Sequence, residues 1–257
     1  ILSGLYLPLI FMLVGLVFRG VAFEFRFKAK EHERHLWDKA FIGGSVVAAF
    51  FQGVSLGAFL DGIAVSGRSY AGGPLDWIAP FPLLAGIGVM IAYTLLGATW
   101  LVMKTEGELH ARMVQVARPF ALMLLAAIVI VSIWTPWRDP AVAARWFTFP
   151  NIVFLAPVPI LVAVFIFLLL RSLGRDPHRL PFVAALALIF LGYTGMAISI
   201  WPHIVPPAIS IWEAASPPSS QGFALVGTLF ILPIILMYTG WSYWVFRGKV
   251  KADAGYH

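Results

Sequence analysis

An all-α bundle of about seven membrane-spanning helices is what the sequence predicts, and three observations carry the prediction. Hydrophobic residues make up 60% of the 257 and charged residues only 12%, a balance that soluble domains do not keep. Seven apolar stretches are each long enough, at roughly 20 residues, to cross a hydrocarbon core as a helix. The Lys and Arg residues are distributed unevenly: 14 of the 18 fall in four of the segments between and after those stretches, and these alternate with segments that hold few.

The spans are expected at 4–23, 40–65, 81–103, 119–134, 152–170, 180–200 and 222–246. Segment 26–39 carries five basic residues, 104–118 three, 171–179 three and 247–251 three, whereas the alternate connectors hold only Arg68, Arg138 and Arg145. The positive-inside bias then places the basic segments and the C-terminus in the cytoplasm and the start of the chain outside. Small residues within the second and third spans, Gly43, Gly44, Gly53, Gly57, Gly86 and Gly88, predict close helix packing. Pro157 and Pro159 in the fifth span and Pro233 in the seventh are expected to kink their helices, because proline removes a backbone donor. The tryptophans Trp77, Trp134, Trp137, Trp146, Trp201 and Trp212 cluster near external span ends, where indole rings anchor at the headgroup level with their N–H in water. No strand signal of useful length and no internal repeat is legible, so the chain reads as a single integral membrane domain over 1–257.

Several function classes are excluded at this stage. The formal charge is +6, but the basic residues flank spans and form no continuous run, which points to anionic lipid headgroups and not to nucleic acid. The chain has no cysteine, so disulfides, thiolate ligation and cysteine nucleophiles are ruled out. Glycine-rich nucleotide loops, a GxSxG elbow and an HExxH helix are also missing.

Ionisable groups at membrane depth are costly and mark function or pairing, and few are present. Arg19 and Glu24 lie toward the inner end of the first span and Asp61 toward the outer end of the second. Arg19 and Glu24 read either as snorkelling or paired side chains, or as a polar contact to a partner or a proton route. Asp61 reads either as an end-of-helix carboxylate near water or as the mouth of a proton or substrate pathway. Among the six histidines, His32, His35, His178 and His257 fall in inner segments, His110 just inside the membrane boundary and His203 just outside the sixth span. No pair faces one bundle centre, so a haem or metal site wholly within this chain is not expected. On a helix continuing out of the third span, Lys104 and Glu108, and Glu108 and Arg112, are four residues apart and would form ion pairs. The connector 202–221, with Glu213 and two proline pairs, reads as a cap or docking surface.

Four segments stand out together: RGVAFEFR from Arg19, GATWLVMKTEGELHAR from Gly97, WPHIVPPAISIWEAASPPSSQGF from Trp201 and YWVFRGKV from Tyr243. In order and spacing the chain resembles subunit II of the bd-type quinol oxidases, especially the cyanide-insensitive branch. Ile1 matches that family only after its first two helices, so a longer subunit is expected. The family's acidic DGFD-like and WDGN-like motifs in that region have no counterpart here.

The resemblance implies a place in the bacterial cytoplasmic membrane, in a quinol oxidase that couples quinol oxidation to reduction of dioxygen to water. The partner would be subunit I, which carries haem b, haem b595 and haem d, with small single-span accessory subunits as further partners. This subunit would support the haem-bearing partner, shape oxygen and proton access, and hold a structural quinone. No catalytic residue follows for this chain. Arg19 and Glu24 match the family's Arg and acidic position, and His203 and Glu213 lie in its external segment; with Asp61, Glu108 and His110 they form the set of structural or proton-path candidates. A secondary transporter and a purely structural assembly subunit remain the alternatives.

Overall fold

Residues 2–66, 69–175 and 178–249 are described by the computed structural model. Seven helices among them are long and apolar enough to span a membrane. Helix α1 (Leu2–Lys28) and α2 (Arg34–Asp61) form an antiparallel hairpin, joined by a short 3-10 turn at Glu31–Glu33. Helix α2 stops at Gly62, whose φ of 100° leaves the helical region, so the last four residues of the expected second span are not helical. Val65 and Ser66 instead pair with Tyr70 and Ser69 as the small hairpin β1 (Val65–Ser66) and β2 (Ser69–Tyr70).

Pro80 opens α3 (Pro80–Lys104) at a position where its missing N–H has no helical partner to lose. The chain then breaks at Thr105 and restarts through Gly107, at φ 68°, as α4 (Gly107–Arg138). The fourth helix therefore begins 12 residues before the expected start at Pro119, and Pro119 lies inside it. Asp139 caps the short helix α5 (Pro140–Phe147) by accepting from the Ala141 N–H at 2.9 Å; α5 lies at the end of the bundle that is outer, or external, in the orientation that the positive-inside bias predicts. The fifth span is interrupted, as its prolines predict: α6 (Asn151–Leu155) ends and α7 (Pro157–Leu173) begins at Pro157. Helix α8 (Leu180–Ile200) leads to a second external hairpin, β3 (His203–Val205) and β4 (Ile209–Ser210), and α9 (Pro218–Val245) closes the described chain. Pro233 sits inside an uninterrupted α9. Both hairpins are strands that periodicity does not show, since each spans only two or three residues.

The main core lies among α3, α4, α7 and α8, where Leu95, Ala117, Ala121, Leu169, Ala184 and Leu188 are buried. Alanine from α4 and α8 brings the backbones close while leucine from α3, α7 and α8 fills the space between them. The α1–α2 hairpin joins this bundle along α2 and α3. There a Cβ on Gly53 would sit 2.6 Å from the Ala85 carbonyl oxygen, so only glycine fits. A smaller external core of Leu5, Ala58, Ile63 and Val205 joins the outer ends of α1 and α2 to both hairpins. Helix α9 is different: none of its residues is buried, and near its inner end Tyr243 meets Trp100 edge to face at 6.0 Å.

Candidate functional site

The polar groups gather at the two membrane faces. At the outer face, Asp61 is the last residue of α2 and forms an ion pair with Arg138, the last residue of α4. The Asp61 side chain is 15% exposed and that of Arg138 50%. Asp61 Oδ1 is shielded from solvent and has the guanidinium beside it without an aligned hydrogen bond. A carboxylate at a helix C-terminus is unfavourably placed in the helix field, and the arginine offsets this. Next to the pair lies a cavity of about 90 Å³ lined by Gly4, Ala58, Asp61, Tyr70, Asp76 and Trp77, among others. Its volume and polar lining suit a few waters.

The loop closing this cavity is ordered by Asp76. Its Oδ2 accepts from the Tyr70 hydroxyl and from the Gly73 N–H, both at 2.8 Å. Burial, and then the hydrogen bond and negative charge of Asp76, push the Tyr70 hydroxyl up to about 12. Sequence reading missed Tyr70, Asp76 and the role of Arg138. The Gly-Pro-Leu-Asp turn at 73–76 was the available signal for Asp76, whereas nothing local to Arg138 reveals a partner 77 positions earlier.

The external hairpin holds His203 and Glu213. Glu213 Oε2 accepts from the Ser210 N–H at 2.7 Å and from its hydroxyl at 2.8 Å. These bonds, with His203 nearby, hold the Glu213 carboxyl below its ordinary value. Trp201 and Trp212 meet edge to face at 5.9 Å over the same turn. The expectation that indole N–H groups point to water needs correction at two positions: Trp77 donates to the Pro74 carbonyl at 3.1 Å and Trp146 to the Ser199 hydroxyl at 3.0 Å.

At the inner face, the break at Thr105 prevents the expected Lys104–Glu108 pair, because the helix does not continue. Lys104 instead donates to the carbonyls of Phe246 and Gly248 at the end of α9, and its ammonium lies 5.2 Å from the Trp100 ring centroid. Glu106 pairs with Lys249 at 3.3 Å. No ion pair of Glu108 with Arg112 occurs among the described residues. His110 Nδ1 lies 2.9 Å from the Val102 carbonyl oxygen, across the break.

Arg19 and Glu24 are both exposed. The Arg19 guanidinium lies 5.5 Å from the Phe41 ring centroid, and neither residue has an ion-pair partner among the described residues. Glu24 is nine residues beyond Gly15, which packs on α2. At about 100° per residue that is half a turn, so Glu24 lies on the side of α1 facing away from its own bundle.

Among the described residues no three His, Asp or Glu side chains form a metal-binding group. His32 is in the inner 3-10 turn, His35 in the first turn of α2, His110 in the first turn of α4 and His203 in the outer hairpin; His178 lies in the connector between α7 and α8. None of these five sits in the middle of a span.

Fold and polar groups together define a polytopic α-helical membrane protein whose charges cap the helix ends at either face. The chain belongs to the family of the cytochrome bd terminal oxidase subunit II, whose model matches residues 1–246. It is 28% identical over 287 residues to the cytochrome bd-I ubiquinol oxidase subunit 2 of Escherichia coli (strain K12), covering 98% of this chain and 76% of that one. With the cytochrome bd ubiquinol oxidase subunit 2 of Bacillus subtilis (strain 168) it shares 25% identity over 260 residues, covering 97% and 75%. It is therefore a multi-pass subunit of an oxidoreductase complex, and the family implies a subunit 1 partner and haem in the complex.

Proposed function

We propose that the chain acts as the supporting subunit of a quinol-oxidising, dioxygen-reducing complex, with haem b, haem b595 and haem d held by subunit I. The observation that carries this reading is the family match along nearly the whole chain, joined to the placement of histidines away from the span centres. The chain contributes a rigid bundle against which the partner packs. Glu24 and Arg19, on the exposed surface of α1, are candidates for polar contacts or proton uptake at that junction. Asp61, with its polar cavity, is the candidate on the outer face. His110, which lies across the inner break from the Val102 carbonyl, and Glu213, bonded to Ser210 beside His203, are structural by their contacts, whereas Glu108 is exposed at the start of α4 and stays a candidate for a polar contact or a proton path. A structural quinone and small accessory subunits belong to the same reading.

A proton-coupled carrier would need an acidic group at depth in the late spans, and α7, α8 and α9 contain no Asp or Glu. The test is the visible absorption spectrum of the purified complex beside that of this chain expressed alone. The complex should show the band of haem d and the isolated chain no Soret band. A Soret band retained by the isolated chain would overturn the division of labour.

A further inference from the structure

Four basic segments set the topology, and two of them neutralise cations within the chain. Arg26 pairs with Asp38 in the α1–α2 turn, where Glu31 and Glu33 are also interleaved. Lys249 of the last segment pairs with Glu106. The turn between α7 and α8 is different. Arg171, Arg175 and Arg179 fall within nine residues, and Arg118 from α4 reaches the same turn, donating from Nη2 to the Leu173 carbonyl at 2.8 Å. All four are exposed, and none forms an ion pair with a carboxylate among the described residues. The one acid of this connector, Asp176, lies outside the described residues.

The chemistry is specific in two further ways. All four cations are arginine, whose planar fork of donors matches phosphate oxygens, whereas orientation in the membrane alone is served equally by lysine. The Leu173 bond fixes the Arg118 guanidinium while leaving most of its donors free. Arg171 also ends an apolar stripe. Ile160, Val164, Phe167 and Arg171 follow at spacings of four, three and four, one face of α7. The first three are exposed at 59%, 45% and 58%, and the Arg171 guanidinium lies 5.9 Å from the Phe167 ring centroid. The apolar face of α7 therefore ends at Arg171, two residues before Leu173, whose carbonyl Arg118 reaches, and four before Arg175 in the connector.

We propose that the α7–α8 turn binds the phosphate of an anionic phospholipid. Arg171, Arg175 and Arg179 are its ligands, Arg118 is a fixed additional donor, and one acyl chain lies along Ile160, Val164 and Phe167. The leaflet is the cytoplasmic one by the orientation argued above. The site itself depends on neither that orientation nor the oxidase reading.

The test titrates the purified complex, in neutral detergent, with short-chain phosphatidylglycerol and follows the midpoint of thermal unfolding. The wild type should be stabilised in a saturable manner, and phosphatidylcholine should have little effect. A basic residue near an anionic surface contributes about 1 kcal/mol, so R171Q/R179Q should raise the lipid concentration needed roughly 25-fold while leaving the lipid-free midpoint unchanged. R26Q should titrate as wild type. If the double variant yields no complex, R175Q alone should shift the titration about fivefold on the same basis. Superimposable titrations of wild type and variants, or an equal response to phosphatidylcholine, would overturn the site. Equal stabilisation by inorganic phosphate at the same concentration would assign it to a free anion and overturn the lipid.

Discussion

Gly15 of α1 and Gly44 of α2 meet backbone to backbone: a Cβ built on Gly15 would lie 2.8 Å from the Gly44 carbonyl oxygen, and one on Gly44 would lie 2.6 Å from the Gly15 oxygen. Neither helix can accept a methyl group here without moving, since the obstacle is backbone. Gly15→Val or Gly44→Val should each destabilise the hairpin by about 1–3 kcal/mol, the usual cost of overpacking, and lower the yield of intact complex per unit of membrane. Gly43→Val is the control, because a Cβ at Gly43 meets nothing within 4 Å. Equal yields for Gly43→Val and Gly44→Val would show that the contact does not limit assembly.

That pair also shows what the sequence could and could not reveal. Composition and charge alternation located the seven spans, because both depend on single residues and their neighbours. They could not distinguish Gly44, Gly53, Gly57 and Gly86, which lie at close contacts, from Gly43 and Gly88, which face open space. Helix phase relative to a neighbour is a tertiary property. The start of α4 was misplaced for a related reason: polar residues 107–118 form a helix projecting beyond the apolar stretch, which hydropathy cannot separate from a loop. Asp61 was legible as a lone acid near a span end, but Arg138 became its partner only when α2 and α4 came together.

The Asp61–Arg138 pair should resist removal of one partner more than a buried pair would and less than a surface pair. Breaking a buried pair costs about 3–5 kcal/mol and an exposed one about 0–1 kcal/mol. With Asp61 mostly shielded and Arg138 half exposed, Asp61→Asn or Arg138→Gln should cost about 1–2 kcal/mol of stability. A double-mutant cycle on unfolding of the purified complex measures the coupling. Strict additivity of the two changes would mean that the pair ties nothing together.

Acid should loosen the external hairpin through Glu213. Its folded-state pKa is depressed by the Ser210 bonds, so the associated stability is present above the ordinary glutamate value of about 4.3. It is lost as the pH falls through the lower folded value. The fluorescence of Trp201 and Trp212, which meet edge to face, should change across that acid window in the wild type. Glu213→Gln, which cannot ionise, should remove that component of the transition. An unchanged transition in the variant would exclude Glu213 as its source.

Orientation can be read chemically, because the chain carries no cysteine of its own. Single cysteines at Ser172, at the end of α7, and at Ser219, at the start of α9, should be labelled by an impermeant thiol reagent from opposite sides of the membrane. This follows from the bias of 14 basic residues in the inner segments against three in the outer connectors. Labelling of both from one side would reverse the assignment of at least one connector.

Arg19 and Arg26 lie seven residues apart on α1, two turns along nearly the same face, yet their surroundings differ. Arg26 pairs with Asp38, with side-chain exposures of 48% and 49%. Such an exposed pair contributes about 0–1 kcal/mol. Arg19 has the Phe41 ring beside it and no ion-pair partner among the described residues, and it lies within the apolar length of the helix, where a charge without a counter-ion is costly. Its charge is therefore expected to meet an acidic or carbonyl group of the partner subunit. Arg19→Ala should reduce the yield of assembled complex more than Arg26→Ala, by severalfold if removal strands a buried partner at about 3–5 kcal/mol. Arg19→Lys should recover part of that yield, since it restores the charge without the planar fork. Equal yields for Arg19→Ala and Arg26→Ala would show that Arg19 snorkels to the headgroups, and would leave Glu24 as the polar group of α1 that still requires a partner.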